Sequence, residues 1–296
     1  MTSSTPTRLQ YRGLLIHFSH YDPNWMQRKA TEERFDLRTG LKVVDAMADV
    51  GMNLLVIDIA DGVVFKSHPE LRRRYSVPMA QLETLARAAR ERGIDVVPKL
   101  NFSKSHRHLH DEWLSPHTHP ENWLQGRRSY WRTARDVIAE AVRACQPRRF
   151  FHIGMDEDHS RSLRQYVEDI ERLRRILRAH KLRPVVWNDS CFEGQDVTAE
   201  VHGEKSRAAE GRLPKNVVHV LWDYDSAHPA AVRRLVSEGF ECWVAPGRSR
   251  AKVRAWKRAA LRHGATGMLL TRWVKCSRRN AEIILRDLHH LGGLYR

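Results

Sequence analysis

RFFHIGMDED, residues 149–158, passes from apolar to acidic within one short stretch. Its first half carries Phe150, Phe151 and Ile153 with little polar alternation, as a parallel strand covered on both faces requires. A glycine follows, then Asp156, Glu157 and Asp158. Acids at that point suit solvation or the start of a following helix. They also suit a catalytic centre, because paired carboxylates at a strand end can hold and protonate a substrate. The rest of the chain has to decide.

Seven more runs of the same kind flank this one: RGLLIHF (12–18), NLLVIDI (53–59), DVVPKLN (95–101), PVVWND (184–189), VVHVLWDY (217–224), CWVAPG (242–247) and GMLLTRW (267–273). With RFFHIGM (149–155) as the fourth, they make eight predicted strands. Helical patterns lie between most of them: 79–93, 130–145, 162–180, 227–239 and 250–264, three of these ending in a glycine. Strands alternating with helices over 296 residues predict an α/β protein, a single (β/α)8 TIM barrel spanning 1–296 as one catalytic domain. A doubly wound open sheet is the structural alternative, but no glycine-rich phosphate loop follows the first strand. The one long irregular stretch, about 101–129, follows the third strand, and a loop of that length is expected to serve the active site.

Composition narrows the classes. Hydrophobic residues make up 42% and there are nine Trp, ample for a packed core. The net charge of +16 implies attraction to something anionic, although the basic residues are scattered along the chain and not gathered in a tail. Cys145, Cys191, Cys242 and Cys276 form no C-x-x-C pair, so no zinc site or disulfide framework is indicated. No signal-peptide pattern or membrane-length apolar run is present, so a cytoplasmic protein without membrane association is expected, with no cofactor. Nucleic acid is a disfavoured partner, since no aromatic-basic module for it appears. Oligomeric state is not readable from these patterns.

Barrel sites form where the strands end. The residues there are His17 and His20; Asp58 and Asp61; Asn101; Asp156, Glu157 and Asp158; Trp187, Asn188 and Asp189; Trp222, Asp223 and Tyr224; and Trp273. Indoles offer flat apolar faces for a sugar ring, and carboxylates and amides accept its hydroxyls. The predicted ligand is a carbohydrate.

Within this frame, HIGMDE (152–157) resembles the H-I-G-x-D-E signature of family 20 glycoside hydrolases, the β-N-acetylhexosaminidases. RGLLIHFSH (12–20), GMNLLVIDIADGVVFKSHPEL (51–71) and ERGIDVVPKLNF (91–102) are similar to the family's first three strands in order. VVWND, VLWDY and GMLLTRW resemble the hexosaminidase D branch, a cytosolic type. The resemblance implies removal of terminal β-linked N-acetylhexosamine with retention, the substrate's own acetamido group acting as nucleophile through an oxazolinium intermediate, an exception to the two-carboxylate scheme. Asp156 would orient the acetamido group. Glu157 would protonate the leaving oxygen and then activate water, its pKa raised by like charge on Asp156 and Asp158 and by partial desolvation. Tyr224 would bond the acetamido oxygen, Trp187, Trp222 and Trp273 would wall the pocket, and Arg12 would bind sugar hydroxyls. Asp189 and Asp223 are candidates for substrate contact or for bracing the rim. Asp58 and Asp61 are read as braces for the basic loop that follows.

Departures from the family pattern accompany the likeness. His17 and His20 stand where many members carry Asp and Arg, and Trp273-Val274-Lys275 replaces Trp-x-Glu after the last strand. A cation at Lys275 would favour an acidic group on the sugar. The loop histidine is placed at His106. Two rivals remain: a metal-dependent barrel hydrolase using His106, His108, His110, Asp111 and Glu112, and a non-catalytic barrel that binds acidic glycan or nucleic acid.

Overall fold

The computed structural model describes residues 8–19, 32–105, 112–114, 127–194 and 202–296. Its barrel strands are β1 (Tyr11–His17), β2 (Leu54–Asp58), β3 (Asp95–Lys99), β4 (Phe150–His152), β5 (Arg183–Asn188), β6 (Val218–Trp222), β7 (Glu241–Ala245) and β8 (Gly267–Lys275). A helix follows each: α1 (Leu37–Asp49), α2 (Met79–Glu91), α3 (Arg127–Cys145), α4 (Leu163–Ala179), α5 (His202–Glu210), α6 (Pro229–Ser237), α7 (Arg250–His263) and α8 (Ala281–Leu291). All neighbouring barrel strands are parallel, and β1 closes the circle by pairing with both β2 and β8. This is a (β/α)8 TIM barrel. A two-residue ladder, Val63–Val64 with Val77–Pro78, ties off the loop after β2.

Alternation along the strands sorts side chains into layers. Outward residues such as Leu14, Leu55, Val96, Phe151 and Leu270 meet the helices in the large outer core. Inward at the N-terminal end, Tyr11, Phe150 and Trp243 pack against one another, with centroids 5.1–5.2 Å apart, and plug the barrel. Above them lie Leu15, Val56, Val97, Val185, Val220 and Ala245. The uppermost inward positions depart from this apolar filling: His17, Asp58, Lys99, His152, Trp187, Trp222 and Trp273. That layer is the floor of the barrel mouth.

Two strands differ from their sequence reading. The fourth was expected over 149–155 but ends at His152, because Gly154 and Met155 have φ of 72° and 78° and turn the chain out of the sheet. The eighth continues to Lys275, with an irregularity in which four β8 steps oppose two of β1 (Leu15 with Thr271, His17 with Lys275). Such bulges re-aim side chains at barrel rims, and this one carries Trp273. Among the described residues, no helix is long and apolar enough to cross a membrane.

Candidate active site

The turn after β4 is strained and heavily braced. Gly154, Met155 and Glu157 all have positive φ, at 72°, 78° and 48°. For the two non-glycine residues this costs on the order of 1–3 kcal/mol each, which surrounding contacts must offset. Asn101, just beyond β3, supplies several of them. Its side-chain oxygen accepts from the Met155 N–H (3.2 Å) and the Ser103 N–H (3.0 Å), while its amide donates to Asp156 Oδ1 at 2.8 Å. Asn101 can reach across only because residue 154 is glycine: a Cβ there would lie 1.9 Å from Asn101 Oδ1. Tyr166 of α4 donates its hydroxyl to the Met155 carbonyl at 3.1 Å.

Glu157 is held through its backbone. Its N–H donates to Asp189 Oδ2 at 2.7 Å, and the other oxygen of Asp189 accepts from the Trp222 indole at 2.7 Å. His202 Nδ1 lies 3.2 Å from the same Asp189 Oδ2. Asp189 is buried and therefore positions the acid and one wall of the mouth together. Asp156 is also largely buried, whereas Glu157 is half-exposed.

Tyr224 stands across the mouth, with its ring admitted by Gly247, where a Cβ would meet Tyr224 Cδ1 at 2.9 Å. Its oxygen accepts from the Trp273 indole (2.5 Å) and from Thr271 Oγ1 (3.3 Å). With both acceptor positions used, the phenolic hydrogen is left to donate. Burial, joined by the charge on Asp156, raises the Tyr224 pKa to about 12, so the phenol stays protonated. Trp273 lies 6.0 Å from Trp187 and 5.2 Å from His17, centroid to centroid. Trp187 is 1% exposed and sits deeper than Trp222 and Trp273, closer to a floor than a wall.

Beneath these rings, Asp58 Oδ2 bonds Lys99 Nζ at 2.7 Å and His17 Nδ1 at 3.0 Å. Burial lowers the His17 pKa despite Asp58, and burial together with Lys99 takes His152 well below the ordinary histidine range. His152 accepts from the Gly154 N–H through Nδ1 at 3.0 Å, which puts its proton on Nε2 and ties the floor to the strained turn.

Asp158 belongs elsewhere. It accepts from the Lys104 N–H (2.6 Å), from Lys205 Nζ (3.0 Å) and from Arg161, which in turn holds Asp169 at 2.8 Å. Burial alone would raise its pKa, but Arg161 and Lys205 outweigh that and lower it. Its charge is compensated on the spot, so it does not act as the bare like charge on Glu157 that the sequence suggested.

Four candidates fall away from the mouth or outside the described residues. Arg12 lies at the opposite end of the barrel, near the start of β1, where its guanidinium donates to the Gly51 (2.9 Å) and Leu9 (2.8 Å) carbonyls. Early strand position dictates this, because only late positions reach the C-terminal face. Asp223 turns both carboxylate oxygens into its own loop, one accepting from the Asp225 N–H at 2.7 Å and the other 2.6 Å from His228 Nε2. Lys275 is 3% exposed, paired with Glu32 at 2.6 Å and seated over the Tyr75 ring at 4.2 Å. Burial lowers its pKa and Glu32 works against that, so its charge is answered inside the protein and does not face a sugar. His106 lies outside the described residues, as do His108, His110 and Asp111. Asp61 does brace the following loop, accepting from Tyr75 (2.8 Å) and Arg73 (3.1 Å), whereas Asp58 serves the floor instead.

The sequence reading passed over Asn101 as a positioning group, along with Tyr166 and Lys99. Asn101 and Lys99 had a visible signal, polar residues at the end of an otherwise apolar strand. Tyr166 had none, being one aromatic among the apolar positions of α4.

Fold and site together define a (β/α)8 barrel whose C-terminal mouth presents two adjacent acids on a strained turn, faced by a tyrosine donor and indole walls. No protein-family model matches the sequence, and no curated protein matches it. Solved structures do resemble it. Dispersin B is 16% identical with a TM-score of 0.60, over 97% of this chain and 98% of that one. A family 20 exo-β-N-acetylglucosaminidase from Vibrio harveyi, in complex with N-acetylglucosamine, is 14% identical with a TM-score of 0.66. A family 20 β-N-acetylhexosaminidase from Streptomyces coelicolor A3(2) is 16% identical with a TM-score of 0.67. The chain covers 54% and 64% of the length of these last two. At such identities the likeness shows the barrel fold.

Proposed function

We propose that this chain, as one catalytic domain, is a glycoside hydrolase that removes terminal β-linked N-acetylhexosamine by substrate-assisted catalysis. The observation that carries the reading is the strained turn Gly154–Glu157 at the end of β4, where Asn101, Tyr166 and Asp189 hold the Asp156 carboxylate and the Met155 and Glu157 backbone in place. The family 20 resemblance of HIGMDE and the fold likeness to N-acetylhexosaminidases support it. The D branch is the subtype that VVWND, VLWDY and GMLLTRW suggest, and four buried free thiols fit its cytosolic setting.

In this mechanism the acetamido oxygen of the bound sugar attacks the anomeric carbon while the bond to the leaving oxygen breaks. Glu157 gives its proton to that oxygen. Asp156, held by Asn101, accepts from the acetamido N–H and steadies the positive charge of the oxazolinium ring. Tyr224 donates to the acetamido oxygen, aligning it for attack. Water then adds to the anomeric carbon, its proton passes to Glu157, and the ring opens to the free sugar. Trp187, Trp222 and Trp273 enclose the sugar faces.

Hydrolysis of nitrophenyl N-acetyl-β-glucosaminide and -galactosaminide tests the assignment. Glu157→Gln should lower kcat by about 10²–10⁴, and Asp156→Asn by about 10² or more, with folding unchanged. Equal activity in all three proteins, or a wild type silent on both substrates, would sink it.

A further inference from the structure

Helix α7 carries charge of a kind the other helices do not. Between Glu241 and Glu282 the chain has no acidic residue. On α7, Arg250, Arg254, Arg258 and Arg262 recur at every fourth position and all are exposed. Four residues of helix advance ~6 Å, so the row is ~18 Å long. Arg248, also exposed, precedes it on the loop after β7 and directly follows Gly247, which packs against the Tyr224 ring, so the head of the row lies at the rim of the mouth. Other helices set carboxylates beside some of their arginines: Arg87 with Glu91 on α2, and Arg164 with Glu168 and Arg174 with Glu171 on α4. Among the described residues, none of the five arginines from Arg248 to Arg262 has such a partner.

The pattern works against the helix itself. Like charges four apart destabilise a helix by about 0.2–0.5 kcal/mol per pair, and α7 has no acid in its first turn to suit the dipole. A bound polyanion would offset both costs. Of the polyanions, a glycan fits better than a nucleic acid. The one aromatic on α7, Trp256, is fully buried, so no ring is offered for base stacking, and the row starts where a terminal sugar would enter.

We infer that the row from Arg248 to Arg262 binds the anionic body of a glycan whose terminal residue occupies the barrel mouth. Its assignment to substrate rests on the hydrolase reading above; the binding itself does not. Binding is measured with a chondroitin sulfate oligosaccharide bearing a terminal β-N-acetylgalactosamine, a neutral chitin oligosaccharide of equal length, and single-stranded DNA of matched charge. Wild type should hold the sulfated probe about tenfold or more tighter than the neutral one at low salt, with the advantage falling as salt rises. Arg254→Ser/Arg258→Ser/Arg262→Ser should lose most of that advantage while its rate on nitrophenyl glycosides stays as in wild type. Unchanged affinity in the triple variant, or DNA bound as tightly as the sulfated glycan, would overturn the inference. A wild type silent on nitrophenyl glycosides but showing arginine-dependent glycan binding would remove the hydrolase reading and leave the binding row standing.

Discussion

Gly154 shows how one residue can set a site. Its φ of 72° alone would favour glycine, but the tighter constraint is the Asn101 side chain that occupies the space of its missing Cβ. Gly154→Ala must displace Asn101, which releases Asp156 and the Met155 N–H together. We expect a stability loss of about 1–3 kcal/mol from the backbone term and a larger proportional loss of kcat, because Asp156 is no longer held. Chemical denaturation and nitrophenyl kinetics measure the two separately, and wild-type kcat in the Gly154→Ala variant would contradict this account of the turn. The glycine itself was visible in the sequence, standing between the apolar run and the acids. Its partner was not, since Asn101 lies 53 residues earlier and meets it only when β3 and β4 pair.

At the scale of elements, the segment joining β4 to α4 has two jobs carried by adjacent acids. Asp156 and Glu157 are the acids proposed for catalysis, while Asp158 closes a buried network with Arg161, Lys205 and the Lys104 N–H that fastens α4 and α5 to the loop after β3. Removing a partner from a buried charge network strands the others, typically at 3–5 kcal/mol. Asp158→Ala should therefore cost about that much, leaving Arg161 and Lys205 uncompensated, and Asp158→Asn somewhat less. A denaturant midpoint unchanged in both would show that the network is not structural. All eight strands were readable, because runs buried on both faces carry an unbroken apolar signal. Helices α1, α5 and α8 were not individually marked out. α5 is short and largely polar, and the first turn of α1 carries Gly40, a poor helix former retained where Phe35 leaves no room for a Cβ.

For the whole molecule, buried histidines predict acid sensitivity. His219 is 1% exposed, and burial takes its pKa down to about 4. An unfolded histidine titrates near 6.5, so below that pH the unfolded chain gains a proton that the folded one refuses. The contribution is full above about pH 6.5 and is lost as pH falls toward 4, amounting to roughly 3 kcal/mol at 1.36 kcal/mol per pKa unit. His17 and His152 shift in the same direction and add to it. Denaturant midpoints at pH 7 and 4.5 should differ accordingly, and His219→Asn should flatten the difference. A midpoint constant across that range would refute it. The net charge of +16 also takes on form only at this scale. Scattered in sequence, part of it lines up on one helix face once α7 is wound.

What the sequence determined by itself is local and periodic: eight doubly buried strands, their alternation with helices, and an acid pair at the end of the fourth. These follow from burial patterns within a single element, so no partner need be known. Tertiary structure alone decided which polar groups serve the mouth. Arg12 and Lys275 read as ligands from their strands, yet one reaches carbonyls at the far end of the barrel and the other is answered by Glu32. Asp189 and Asn101 became positioning groups because strand closure brought them to Glu157 and Asp156. A charge or amide finds its partner through space, and the distance along the chain carries no record of that meeting.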